Sequence, residues 1–272
     1  AMTADYHLHS CFSGDSETPT EEVVRSGLEK GLSLLCLTEH FDPDYPYADV
    51  CMDLDAPAYF AEARRLQALY ESRIEIRVGA ELGLQPRLGT FLDSWLERNM
   101  AEGLSFDFLI GSTHLVDGTD PYYPEFWNGR EPEASVGRFL DITLENVRAF
   151  DCFDVYGHLD YIVRYIPDGE RRFSYSSHRD QVDAILKLLI EKGKGIEINT
   201  GGWKAGLSEP NPCGEVLRRY RELGGEIITT GSDAHTPEDT VFRLADAKEV
   251  LRSCGFRYFT IFRERKPEFI KL

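Results

Sequence analysis

Six of the seven histidines stand at the end of, or directly after, a short apolar run, and that placement limits what the chain can fold into. His7 and His9 fall at the end of the first run. His40 closes Cys36-Leu37-Thr38-Glu39-His40, and His114 closes Gly111-Ser112-Thr113-His114. His158 lies in Gly157-His158-Leu159-Asp160, and His235 in Gly231-Ser232-Asp233-Ala234-His235. His178 alone stands elsewhere, at a helix start, where capping or solvation is its expected role. Short apolar runs bounded by turn-forming residues read as buried strands. They occupy residues 6–8, 34–38, 74–82, 106–112, 155–158, 195–199, 227–231 and 258–262. Between them, residues 21–30, 56–70, 88–100, 133–149, 178–192, 213–223 and 237–253 carry helical spacing. Repeated strand–helix units build a parallel sheet, and seven or eight of them in 272 residues predict a closed α/β barrel in one domain, residues 1–272. Strand C-termini of a barrel share one mouth, so the six imidazoles are expected to converge there.

Carboxylates follow the same pattern. Glu81 ends Val78-Gly79-Ala80-Glu81, Asp233 ends the seventh run, and Asp15 follows the His7-Leu8-His9 pair closely. Alternation along a strand puts His7 and His9 on one side, where two imidazoles can chelate a metal. Histidine with carboxylate, and no cysteine, suits zinc, manganese or iron in a hydrolytic site. The six cysteines are scattered with no C-x-x-C pair, which argues against a zinc knuckle or disulfide framework and fits a reducing cytoplasm. Cys11 is near the histidine pair, but a neutral thiol is its expected state.

Charge and length exclude other classes. A formal charge of −17 opposes a face for long nucleic acid, which needs stripes of Lys and Arg. No run approaches a membrane span, and no secretory signal pattern is visible. The two longest irregular stretches, 41–55 and 116–130, follow a strand and its histidine, where a barrel grips its substrate. Their aromatics Tyr45, Tyr47, Tyr122, Tyr123 and Trp127 could pack on a substrate ring or simply on one another. Arg164, a short reach past His158, is a candidate phosphate fork, because guanidinium matches phosphate bidentately. The competing reading is a surface Arg paired with an acid. Lys204, in Gly201-Gly202-Trp203-Lys204-Ala205-Gly206, is a second candidate for the phosphate.

Taken in order along the chain, the histidine and carboxylate motifs resemble those of the PHP (polymerase and histidinol phosphatase) phosphoesterases. Within that family the chain is most similar to the stand-alone histidinol-phosphate phosphatases. The run from His9 through Ser10-Cys11-Phe12-Ser13-Gly14-Asp15-Ser16 resembles that subgroup's first motif, and Ile196-Glu197-Ile198-Asn199-Thr200-Gly201 its late strand. The resemblance implies a distorted (β/α)7 TIM-like barrel with two or three divalent or transition metal ions (Zn, Mn or Fe) at its C-terminal mouth. By that likeness His7, His9, Glu81 and Asp233 hold a first metal, and Glu81 bridges to a second completed by His114 and His158. Asp15, His40 and His235 hold a third, with Glu17, Glu39 and Asp42 as nearby oxygen donors.

The chemistry expected is hydrolysis of a small phosphate monoester, with L-histidinol phosphate, a late intermediate of histidine biosynthesis, as the leading substrate. A metal-bridging hydroxide would attack phosphorus in line. The leaving alkoxide would take its proton from a metal-bound water or a nearby acid, with Asp233 and His235 as the candidates. Nucleotides, oligonucleotide ends or phosphotyrosine are the alternative substrates, and a non-catalytic metal-binding protein is the remote alternative. The sequence carries no indication of oligomeric state.

Overall fold

In the computed structural model of the chain, residues 2–167 and 173–272 are described. Seven strands run in sequence order around one parallel sheet: β1 (Ala4–Asp5), β2 (Leu34–Phe41), β3 (Glu75–Gly83), β4 (Phe108–Ser112), β5 (Val155–Tyr156), β6 (Gly195–Asn199) and β7 (Ile228–Gly231). The last meets the first. Tyr6 N donates to Thr230 O at 2.8 Å, Asp233 N to His7 O at 2.8 Å and His9 N to Ala234 O at 2.9 Å. The sheet is therefore a seven-stranded, TIM-like barrel. Closure needs Gly231, because a Cβ there would sit 2.4 Å from that of His7.

Helices α1 (Thr20–Glu29), α2 (Ala56–Leu69), α3 (Phe91–Ala101), α4 (Pro132–Ala149), α5 (Arg179–Glu191), α7 (Gly214–Glu222) and α8 (Leu244–Ser253) cover the outside, while the single turn α6 (Gly201–Lys204) lies at the mouth. Their inward stripes follow the helical repeat, as with Val182, Ile185, Leu186 and Leu189 of α5. Starts are marked by side chains that satisfy free backbone donors: Asp55 accepts from Ala58 N, and Glu131 from Glu133 N and Ala134 N. Residues 237–253 form no continuous helix. A short 3-10 turn, Pro237–Asp239, precedes α8, and between them Val241 and Arg243 take positive φ. Among the described residues, no helix is long and apolar enough to cross a membrane.

The eighth apolar run, 258–262, is no barrel strand. It forms β8 (Tyr258–Arg263), which pairs antiparallel with β9 (Lys266–Lys271) in a hairpin. Both residues of its turn, Glu264 (φ 49°) and Arg265 (φ 66°), are left-handed, the geometry of a two-residue hairpin turn usually given to Asn-Gly. Bonds at the barrel's N-terminal end offset that strain. Arg265 N donates to Asp107 O at 2.8 Å, and its Nε to Asp154 Oδ2 at 2.6 Å. Phe262 packs against Phe108 with ring centroids 5.1 Å apart, and its carbonyl accepts from Tyr6 and Arg77. The hairpin stoppers the end opposite the histidines, leaving one open mouth.

Candidate metal centre

Register brings the polar strand ends together before any side chain is placed. His40 of β2 pairs with Glu81 of β3, and Asn199 of β6 with Gly231 of β7. Glu81, fully buried, is the hub. Its Oε1 lies 2.9 Å from His7 Nε2, 3.3 Å from His9 Nε2 and 3.3 Å from His40 Nδ1. Its Oε2 lies 3.1 Å from His114 Nε2 and 3.0 Å from His158 Nε2, and accepts from Ser112 Oγ at 2.8 Å. Asp233, also at positive φ, aims Oδ1 between His7 and His9, 3.3 Å from each Nε2. Asp15 Oδ2 lies 3.2 Å from His40 Nε2 and 3.1 Å from His235 Nε2.

Candidate ligand atoms within 4.8 Å of one another occur in three sets: His7, His9, Glu81 and Asp233; His40, Glu81 and His114; and His9, His40 and His235. The first matches the set expected from the sequence. In the others His40 stands between the second and third groups, while His158 reaches the cluster through Glu81. All nine residues expected as ligands meet in one cluster.

The imidazoles are held in a metal-ligating form by their far nitrogens. A carboxylate or carbonyl only accepts, so any imidazole nitrogen bonded to one carries a proton. His7 Nδ1 donates to Glu197 Oε1 at 2.7 Å, His114 Nδ1 to Asp42 Oδ2 at 2.5 Å, and His235 Nδ1 to Asp233 O at 2.8 Å. Ser13 Oγ gives its proton to Glu39 at 2.8 Å, so it accepts from His9 Nδ1 at 3.0 Å. Four Nε2 atoms thereby face the carboxylates of the cluster, where a cation can replace the proton each shares with them. The buried His9 Nε2 and both ring nitrogens of His40 make no hydrogen bond within the protein, an arrangement that costs stability unless a cation takes the lone pairs. The donor set fits zinc, manganese or iron.

The electrostatics agree. Burial works against a charged His7, yet Asp233, Glu197 and Glu81 outweigh it and hold its pKa well above the ordinary value. Burial would raise the Glu81 carboxyl, but His7, His40 and His114 hold it well below its usual range. Against burial, Asp42 and Glu81 bring His114 up to about 10. In the metal-free chain, protons supply the positive charge this cluster demands.

Arg164 is not a surface residue. It is 8% exposed, with Nε donating to Asn211 Oδ1 at 2.7 Å, NH2 to Asn199 Oδ1 at 3.0 Å and NH1 to Asp233 Oδ2 at 3.1 Å. Asn211 is oriented in turn by the Asp160 carboxylate, which accepts from its Nδ2 at 2.5 Å. Lys204 stands on the rim, half exposed and ion-paired with Asp239. Glu39 is taken up by Ser10 and Ser13, and Glu17 faces solvent, so neither competes with Asp15. Sequence reasoning missed Glu197, Asn211, Ser13 and Asp160. Glu197 had a readable signal: between Ile196 and Ile198 of a buried strand, a carboxylate points to the other face, which in a barrel is the lumen.

Glu81, His114, His158, Arg164 and Asp233 line a cavity of about 690 Å3, reached from the open mouth. The fold has known counterparts. A histidinol-phosphatase from Lactococcus lactis is 31% identical, covering 95% of this chain and 93% of the relative. A probable histidinol-phosphatase from Deinococcus radiodurans is also 31% identical, covering 97% of this chain and 98% of the relative. The crystal structure of a histidinol phosphate phosphatase from Lactococcus lactis, complexed with zinc, L-histidinol and phosphate, superposes with a TM-score of 0.89 at 30% identity, covering 97% of this chain and 98% of that one. Residues 5–201 match the family model described as PHP domain, and with that match the chain belongs to the PHP domain family.

Proposed function

We propose that the protein is a metal-dependent phosphoric monoester hydrolase that converts L-histidinol phosphate to L-histidinol and phosphate, in the cytoplasm, as one domain spanning residues 1–272. The observation that carries this reading is the set of four imidazoles anchored through Nδ1, with Nε2 of His7, His9 and His114 facing Glu81 or Asp233 and that of His235 facing Asp15. The Lactococcus lactis relative solved with L-histidinol and phosphate supports the substrate. Six free cysteines fit the compartment.

In this reading His7, His9, Glu81 and Asp233 hold one metal, Glu81 with His114 and His158 a second, and Asp15, His40 and His235 a third. When bound, such ions polarise the phosphoryl oxygens and lower the pKa of water. Arg164 supplies the chain's own positive charge beside them. Three acceptors occupy three of its five N–H groups, and a phosphate oxygen would share the remaining capacity with the neighbouring Tyr165 hydroxyl. Lys204, ion-paired with Asp239 on the rim and half exposed, keeps donors that could reach the substrate phosphate from the mouth. His235 spends its Nδ1 proton on the Asp233 carbonyl, and Arg164 and His7 help hold Asp233 ionised against its burial. Both therefore suit the ligand role better than that of proton donor.

Metal content and turnover test this together. Purified protein should contain two or three equivalents of Zn, Mn or Fe and lose its activity on chelation. Among L-histidinol phosphate, nucleoside monophosphates and phosphotyrosine, the first should show the highest kcat/KM. A nucleotide ranking above it overturns the substrate, and full activity without metal overturns the chemistry.

A further inference from the structure

The cavity above the cluster has a second pole. Asp120, 4% exposed, lines its wall within the long loop after β4. Oδ2 accepts from Tyr45 OH at 2.7 Å, while Oδ1 accepts from Tyr161 OH at 3.0 Å and Tyr122 N at 2.9 Å. Every donor is neutral. Among the described residues, no Lys, Arg or His lies in ion-pair contact with this carboxylate. A buried carboxylate has room for about four donors, so one position remains open toward the cavity. Burying a charge without a counter-ion is costly, and the commonest remedy is a cationic partner.

The surroundings suit such a partner. Tyr45, Tyr122, Tyr123, Tyr161 and Tyr165 line the same cavity. They form a chain of ring contacts, with Tyr47 stacked on Tyr123 at 3.9 Å and Tyr122 meeting Tyr165 edge-on at 5.5 Å. Faces of this kind attract ammonium and imidazolium groups. Tyr161 also sets the spacing. Its hydroxyl binds Asp120, and its ring lies 4.7 Å from that of His158 and 5.5 Å from the guanidinium carbon of Arg164. The anion-binding end and the anionic wall are therefore separated by about one tyrosine side chain.

We infer that Asp120, with its tyrosine collar, is the specificity-determining subsite for a positively charged group on the far end of the substrate. The favoured class is a small monoester carrying an ammonium or imidazolium group a few bonds from its phosphate. This rests on the phosphatase reading above and deepens it. It also gives a physical reason to reject nucleotides and sugar phosphates, whose far ends bring no cation to Asp120. Burial raises the Asp120 carboxyl above its usual value, since the pull of His114, which acts without contact, and of three neutral donors only partly offsets it, and a cation bound in contact would relieve that cost.

Asp120→Asn keeps the size of the side chain and removes its charge. The readout is the ratio of kcat/KM for L-histidinol phosphate to that for p-nitrophenyl phosphate, whose leaving group carries no cation. Loss of a buried charge partner predicts a fall in this ratio of about 30-fold or more, carried by KM. A ratio unchanged within about threefold of wild type overturns the inference, because general damage to the site would lower both substrates together. Wild-type enzyme provides an arm independent of how the variant folds. It should hydrolyse 3-phenylpropyl phosphate, similar in length but uncharged, with kcat/KM about 30-fold or more below that for histidinol phosphate. Equal values overturn the inference and leave the functional reading intact. Conversely, no turnover of histidinol phosphate with efficient hydrolysis of phosphoethanolamine overturns the named substrate and leaves the cationic subsite standing.

Discussion

Glu197 Oε1 lies 2.7 Å from His7 Nδ1, and Oε2 of the same carboxylate accepts the backbone N–H of His158 at 2.7 Å. One side chain on β6 thus fixes the tautomer of one imidazole and the backbone that carries another. Glu197→Gln keeps the shape but can turn its amide N–H toward the ring. Outer-shell changes of this kind cost about 10- to 100-fold in metal affinity or activity. Chelator competition should show that loss in zinc affinity, with the far-ultraviolet circular dichroism unchanged. Wild-type affinity in the variant would remove Glu197 from the centre.

His9 faces the first and third candidate sets, and its Nε2 has no hydrogen bond in the protein. His9→Ala should lower the bound metal by at least one equivalent and kcat by more than the outer-shell figure of about 100-fold. His7→Ala should do the same. Elemental analysis with steady-state kinetics reads both effects. Loss of His7 also leaves Glu81, Glu197 and Asp233 short of a positive partner, so the chelated His7→Ala protein should melt at a lower temperature, and the metal content carries the test.

Arg164 depends on Asn211, which accepts from its Nε at 2.7 Å. A hydrogen bond to a charged group is worth about 1.5–3 kcal/mol, or about 10- to 150-fold. Arg164→Ala should raise KM by that factor if the guanidinium holds phosphate in the ground state. Asn211→Ala should raise it less, because Asn199 and Asp233 still grip the other two nitrogens. An unchanged KM in Arg164→Ala would show that the guanidinium serves the fold alone.

The metal-free protein should lose stability in alkali. Against burial, Asp42 and Glu81 raise the folded pKa of His114 to about 10, above an unfolded value of about 6.5. A raised pKa means the folded state binds the proton more tightly, so this contribution is fully present below the unfolded value. It is lost as pH rises toward about 10. Calorimetry of chelated protein between those limits should show a falling melting temperature. Metal-loaded protein should show a smaller fall, since a ligating imidazole is already neutral. Parallel curves for the two forms would contradict the assignment of these imidazoles as ligands.

Strand–helix alternation, together with histidines at strand ends, made the barrel and its mouth legible from the chain alone. Side-chain periodicity and the rule that strand C-termini face one way are local properties, and they sufficed for His7, His9, Glu81, His114, His158 and Asp233. What depends on contacts between distant segments was not readable. Residues 258–262 have a strand's composition, but whether they enter the barrel is decided by the strand beside them, and β1 meets β7 first because Gly231 lets the backbones approach. The tautomer of His7 is set by Glu197, 190 residues away. The burial of Arg164 depends on Asn199, Asn211 and Asp233 closing around it. Sequence determined which donors exist and which end of the barrel they occupy, because alternation and strand direction are written residue by residue. Only the tertiary structure decided their protonation, their partners and the anionic wall at Asp120, because those arise where remote loops exclude water together.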